Sequence, residues 1–134
     1  MAGTKDKTPR KVVIVDDEQD VVTYLTALLS DNDFEVRSAT DGQEALRIIG
    51  AVKPDLICLD ILMPGETGLS LYRKIRSIPD IKDIPVIIVS GMNYSRDVAA
   101  ESPLAGSDIP PPEAYVERPI KPGPFMEIVE TVLG

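Results

Sequence analysis

Several charged and hydroxyl residues stand where a packed domain would bring them together. Asp16, Asp17 and Glu18 follow the apolar run Val12-Val13-Ile14-Val15, and Asp60 closes the run Leu56-Ile57-Cys58-Leu59. Ser90 closes Val86-Ile87-Ile88-Val89, and Arg118 follows Ala114-Tyr115-Val116. Carboxylates gathered without a cation repel one another and raise their own pKa values; a hard, oxygen-seeking ion such as Mg²⁺ removes that conflict. A hydroxyl and a cation beside such a group complete the parts that phosphoryl transfer needs. Each residue alone has a plainer explanation. Asp16-Asp17 could be a solvated acidic helix start, Ser90-Gly91 a turn, and Arg118 and Lys121 surface cations. The conjunction is more specific than any member.

Composition narrows the chemistry further. The sequence contains no histidine, which removes Ser-His-Asp and Cys-His catalysis, most zinc sites, and any role as a phosphohistidine carrier. Cys58 is the only cysteine, so an internal disulfide and a thiolate cluster are both excluded, and a small buried hydrophobe is the expected role. A formal net charge of −8, with no local Lys/Arg cluster, disfavours direct binding to nucleic acid or to anionic lipid. At 134 residues with 43% hydrophobic content, the chain should fold as one domain. Residues 1–10 read as a polar N-terminal tail and 11–134 as the domain. That start has no apolar core for a secretory signal, and no apolar run approaches transmembrane length, so a cytoplasmic location is expected.

The elements that must position these residues follow from hydrophobic periodicity. Five apolar runs predict five strands, the second spanning Phe34 to Ala39. Three of them lack alternation, as expected for parallel strands covered on both faces. Between them lie helical stripes: Val21, Leu25, Leu28 and Leu29; Gly68, Leu71, Tyr72 and Ile75; and Phe125, Ile128, Val129 and Val132. Thr40 and Gln43 have capping-box spacing, which predicts a further helix over Asp41 to Ile49. Alternating strands and helices give an α/β doubly wound, five-stranded parallel sheet with helices on both faces. Functional groups then gather at the carboxyl ends of its strands. Ser102 to Glu113 contains Pro103, Pro110, Pro111 and Pro112 and reads as an irregular loop.

These residues, in this order, resemble the receiver domain of two-component response regulators, over nearly the whole chain from Lys11 to Leu133. The resemblance rests on Val-Asp-Asp-Glu at 15–18, on Asp41-Gly42 with Glu44-Ala45-Leu46, and on Pro54-Asp55-Leu56 leading to Leu59-Asp60. Met63-Pro64-Gly65 with Gly68, and Tyr115-Val116-Glu117-Arg118-Pro119, complete it. It implies a flavodoxin-like strand order 2-1-3-4-5, with Asp60 as phosphoacceptor. It implies Mg²⁺ held by Asp17, Asp60 and the Leu62 backbone carbonyl, with Asp16 acting through water. It further implies Ser90 as the phosphoryl-binding hydroxyl and switch residue, and Tyr115 as the aromatic switch. A histidine kinase or histidine phosphotransfer protein would be the donor, and a downstream protein or fused effector domain the recipient of the signal. Homodimerisation is left open.

Two departures from the family pattern stand out. Arg118 occupies the position usually held by lysine and replaces a compact ammonium with a planar fork; Lys121 is a candidate substitute cation, though its spacing is wrong. The stretch between Ser90 and Tyr115 is several residues longer than usual and carries the prolines, so an irregular or shortened fourth helix is expected. Leu62 and Met92, two residues past Asp60 and Ser90, are both apolar, which predicts poor access of water to an acyl phosphate and slow self-dephosphorylation. No enzymatic activity beyond the chain's own phosphorylation and dephosphorylation is expected. A receiver-like binding module that is never phosphorylated is the main alternative. A Mg²⁺-dependent aspartyl-phosphate phosphatase fits less well, because it needs an acid where Leu62 stands. A flavodoxin-like electron carrier fits poorly too, since its first strand should lead into a phosphate-cradling loop rather than into acids.

Overall fold

A computed structural model describes residues 9–60, 68–90 and 110–134, with side chains except those of Leu69 and Ser90. Among the described residues nine elements follow in chain order. They are β1 (Lys11–Val15), α1 (Gln19–Asp31), β2 (Glu35–Ala39), α2 (Gly42–Val52), β3 (Leu56–Asp60), α3 (Gly68–Ser77), β4 (Val86–Ser90), β5 (Ala114–Glu117) and α4 (Pro122–Leu133). The strands form one sheet in the order β2-β1-β3-β4-β5, every neighbouring pair parallel. This is the flavodoxin-like order expected from the sequence. The helix expected between β4 and β5 falls outside the described residues.

The lack of alternation in β1, β3 and β4 has a direct cause. Val13, Val15, Ile57, Leu59 and Ile88 face a core completed by Ala45 and Ile49 of α2 and by Leu71, Tyr72 and Ile75 of α3. The intervening Val12, Ile14, Cys58, Ile87 and Val89 face a second core, completed by Val22, Leu25 and Leu29 of α1 and by Phe125 and Val129 of α4. Both faces are dry, so both sets of strand residues are apolar. Cys58 is fully buried, and burial pushes its thiol up to about 12, in keeping with a structural role. In α1 the buried row is Val22, Leu25 and Leu29, with Val21 and Leu28 at its margin.

The edge strand β2 differs. Arg37 and Ser38 are exposed, and Arg37 pairs with Glu35 at 3.6 Å. It begins at Glu35, one residue later than predicted, because Phe34 instead turns its ring into the α1/α4 core.

The α2 boundaries also correct the sequence reading. The cap is Asp41, not Thr40: its side chain accepts from the Glu44 backbone N–H at 2.8 Å, and its φ of −146° is extended, as an N-cap requires. The acid and the hydroxyl are adjacent in sequence, and the carboxylate occupies the capping geometry. At the other end the helix passes Gly50 and runs to Val52. Lys53 then adopts the left-handed conformation (φ 50°), and its N–H donates to Ile49 O at 2.8 Å. Gly50 is exposed and helical, and a Cβ built on it meets nothing within 4 Å. Gly50→Ala is therefore expected to stabilise the chain by about 0.5–1 kcal/mol, read from urea unfolding. A loss of stability would mean that this last turn is not helical in solution.

A polar network closes the amino-terminal ends of β4 and β5. The Arg76 side chain, 3% exposed, donates through Nε to the Tyr72 hydroxyl at 2.9 Å. Nη1 donates to the carbonyls of Lys82 and Ile84 at 2.9 and 2.6 Å, and Nη2 to Glu113 Oε1 at 2.9 Å. The same Glu113 oxygen accepts from Val86 N–H at 2.7 Å, and the Tyr72 hydroxyl donates to Pro110 O at 2.6 Å. One guanidinium thus joins α3, the lead into β4 and the lead into β5.

Candidate functional site

Parallel pairing brings the carboxyl ends of β1 and β3 side by side. Val15 pairs with Leu59, so Asp16 and Asp60 stand opposite each other one residue further on. Both are 2% exposed, whereas Asp17 is exposed. One carboxylate oxygen from each of the three lies within 4.8 Å of the other two. Asp16 is fixed at both ends. Its N–H donates to Ala39 O at 3.1 Å, and its Oδ1 accepts from Glu18 N–H at 2.9 Å. Burial raises the Asp16 pKa above the ordinary carboxylate range; the Glu18 N–H and Arg118 oppose that shift, and the Glu18 and Asp17 charges add to it.

An all-oxygen donor set with crowded negative charge fits a hard divalent cation such as Mg²⁺ and does not fit a soft metal. The sequence expectation for Asp16, Asp17 and Asp60 as a cluster is thus met in the geometry. Leu62, expected to contribute a backbone carbonyl, lies outside the described residues, as does Met92.

The remaining expected site residues are placed as follows. Ser90 ends β4 in register with Glu117; its hydroxyl lies outside the described side chains. Tyr115 pairs in register with Ile88 and is half-buried against the α2/α3 core, and burial raises its phenol pKa. Lys121 is the exposed N-cap of α4.

Arg118 follows β5 directly, and its peptide bond to Pro119 is cis. Its Nη1 donates to Glu18 Oε1, an ion pair between the turn after β5 and the N-cap of α1. The hydrogen bond to Glu18 pushes the Arg118 pKa up; partial burial opposes that, and the charges of Glu18, Asp60 and Asp16 reinforce it. Its Nε is buried and has no partner among the described residues. Glu18 had no individual role in the sequence reading. The signal was present in an acid directly after the aspartate pair, in a chain with arginine at the cationic position.

The turn after β5 is tied to α1 a second time: the Tyr24 hydroxyl donates to Ile120 O at 3.1 Å. Asp20, Val21, Tyr24, Arg118 and Ile120 line a shallow groove of about 250 Å³ there.

A flavodoxin-like sheet with an acid cluster at the ends of β1 and β3 and a cation after β5 defines a receiver-type domain. Residues 12–108 match the response regulator receiver domain family, and the chain belongs to it. Among curated proteins it is similar to the response regulator MprA of Mycolicibacterium vanbaalenii, with 36% identity over 110 residues, covering 81% of this chain and 47% of that protein. Among solved structures it is similar to the chemotaxis protein CheY4 of Vibrio cholerae, with a TM-score of 0.81 and 25% identity over 92% of this chain and 98% of that one. It is likewise similar to the receiver domain of a signal transduction histidine kinase from Syntrophus aciditrophicus, with a TM-score of 0.78 and 27% identity over 92% and 89% of the two chains. The chain spans about half the length of the MprA proteins it matches. Among the described residues no helix is long and apolar enough to cross a membrane.

Proposed function

We propose that the chain is a phosphorylatable switch in two-component signalling, with Asp60 as the phosphoacceptor. The observation that carries this is the burial of Asp60 at the end of β3, with Asp16 and Asp17 within 4.8 Å and Arg118 close enough to feel its charge. A carboxylate oxygen of Asp60 attacks the phosphorus of a phosphohistidine. The new P–O bond forms as the P–N bond breaks, and the electron pair leaves with the imidazole nitrogen. These 134 residues contain no histidine, so the phosphohistidine lies outside them, on a histidine kinase or a phosphotransfer protein.

Asp17, Asp60 and the Leu62 carbonyl are the residues that would hold Mg²⁺ directly, and Asp16 through water. Bound there, the ion supplies charge neutralisation at the crowded oxygens. Arg118 contributes a positive charge whose field reaches Asp60 and Asp16, and the Ser90 hydroxyl would contribute a hydrogen bond. Positioning and charge are what this reaction needs from a protein, so no separate general base is required.

The added charge biases a pre-existing two-state equilibrium in which Ser90 moves towards the phosphoryl group and Tyr115 turns inward. Tyr115 is half-buried on the edge strand β5. The shift is read in the cytoplasm by a downstream protein or by an effector domain on the same polypeptide. With a net charge of −8, nucleic acid is not a direct partner of this domain.

The test is intact mass after incubation with Mg²⁺ and phosphoramidate, with Asp60→Asn and a chelator as controls. One added phosphoryl group is expected, lost in both controls and decaying slowly, because Leu62 and Met92 offer water no polar guide. No addition under any condition would identify an unphosphorylated binding module instead.

A further inference from the structure

We propose that Glu18 is a positioning residue for Arg118. It fixes one end of the guanidinium and leaves Nε as the donor to a phosphoryl oxygen on Asp60. This rests on Asp60 as phosphoacceptor and adds a residue to that site.

The side chain of Arg118 is too long and too branched to act as a point charge without restraint, and a planar fork loses its advantage unless one edge is held. Glu18 supplies the restraint from a rigid base. It is the N-cap of α1, its carbonyl accepts from Val21 and Val22 N–H at 3.1 Å each, and its own N–H is held by Asp16 Oδ1 at 2.9 Å. The acid pocket and the cation are therefore joined through one residue, Asp16 to Glu18 to Arg118. The Tyr24 to Ile120 hydrogen bond ties the same turn to α1 six residues further along.

The second observation is the unpaired donor. Buried guanidinium N–H groups are almost always satisfied, and leaving one unmet costs stability. Arg118 Nε is buried without a partner among the described residues, while both Asp16 and Asp60 act on the charge of the group. A phosphoryl oxygen on Asp60 is an acceptor of the right charge to meet it. Glu18 engages Nη1, so the two anions use different edges of the fork and do not compete.

The experiment combines kinetics with a direct view of the donor. Phosphorylation of Asp60 by phosphoramidate is followed by mass in wild type, Glu18→Gln, Glu18→Asp, Arg118→Lys and the Glu18→Gln/Arg118→Lys double variant. Glu18→Gln is expected to slow the reaction on the order of 10-fold, with partial recovery in Glu18→Asp. In the Arg118→Lys background the same change is expected to matter less than about 2-fold, because a compact ammonium does not depend on a held edge. In parallel, ¹⁵N NMR of the Arg118 Nε–H is recorded with Mg²⁺ and beryllofluoride, a phosphoryl mimic that attaches to a carboxylate oxygen. A downfield shift is expected in wild type, absent in Asp60→Asn and reduced in Glu18→Gln.

Equal slowing by Glu18→Gln in both backgrounds, or an unmoved Nε–H while Asp60 is modified, would overturn the positioning role and leave Asp60 in place. Failure of the wild type to take any phosphoryl group would overturn both. The Glu18 side chain is 54% exposed, so the fold should survive its replacement, and matching urea midpoints would verify that.

Discussion

Arg76→Ala is expected to destabilise the chain by about 3–5 kcal/mol, a large part of the stability of an ordinary domain. The estimate follows from what the guanidinium satisfies. Truncation leaves the Lys82 and Ile84 carbonyls without this donor and strips the Glu113 carboxylate of its cation in a half-buried setting. It also removes the guanidinium stacked 4.8 Å from the centre of the Tyr72 ring. Arg76→Lys keeps the charge but cannot reach four acceptors at once, so it should recover only part of the loss. Glu113→Gln should cost no more than about 1 kcal/mol, because its side chain is 40% exposed and an amide oxygen still accepts from Val86 N–H. Urea unfolding of the three variants decides the matter. A loss below about 1 kcal/mol for Arg76→Ala would show that water replaces the guanidinium at little cost.

The second large effect concerns the cation. Saturating Mg²⁺ at one hundred times its dissociation constant is expected to stabilise the folded chain by about 2.7 kcal/mol, since the unfolded chain does not hold the three carboxylates together. In Asp60→Asn the increment should fall below about 1 kcal/mol, because the donor set loses a charged, buried ligand. Thermal melts with and without the ion test this without any phosphodonor. An equal increment in wild type and Asp60→Asn would place the cation elsewhere and remove the metal site from the proposal. A variant that fails to bind the ion but keeps its metal-free stability has lost a ligand, not a fold.

The sheet was legible in the sequence for a simple reason. Residues of β1, β3 and β4 face dry cores on both sides, so the strands read as unbroken apolar runs, and carboxylates right after such runs are conspicuous. The α2 cap was misplaced because Thr40 and Asp41 are both competent N-caps, and only backbone conformation distinguishes them. The predicted end of this helix, Ile49, falls short of Val52, although the exposed Gly50 that follows costs a helix only about 1 kcal/mol. The Arg118–Glu18 pair joins residues 100 apart in the chain, and no local pattern encodes such a contact. Arg76 is more instructive. It stands four residues after Tyr72 and continues the apolar stripe of α3, so its burial was foreshadowed by periodicity, but its charge argued for solvent. Glu113, 37 residues away, resolves that conflict, and it is the last residue of the proline-rich stretch, whose pattern predicts only an irregular loop.

The two borders of the sheet bear on how this protein behaves when crowded. An open strand border is a template on which another chain can add hydrogen bonds. One border here, β2, presents the Glu35–Arg37 pair, and the other, β5, is only four residues long. A foreign strand would have to strip water from paired charges at the first border and would find few rungs at the second. Growth of the sheet from molecule to molecule is discouraged on both sides, and a net charge of −8 adds repulsion at longer range. Such borders give a second copy of the chain little to extend, so association through sheet growth is disfavoured.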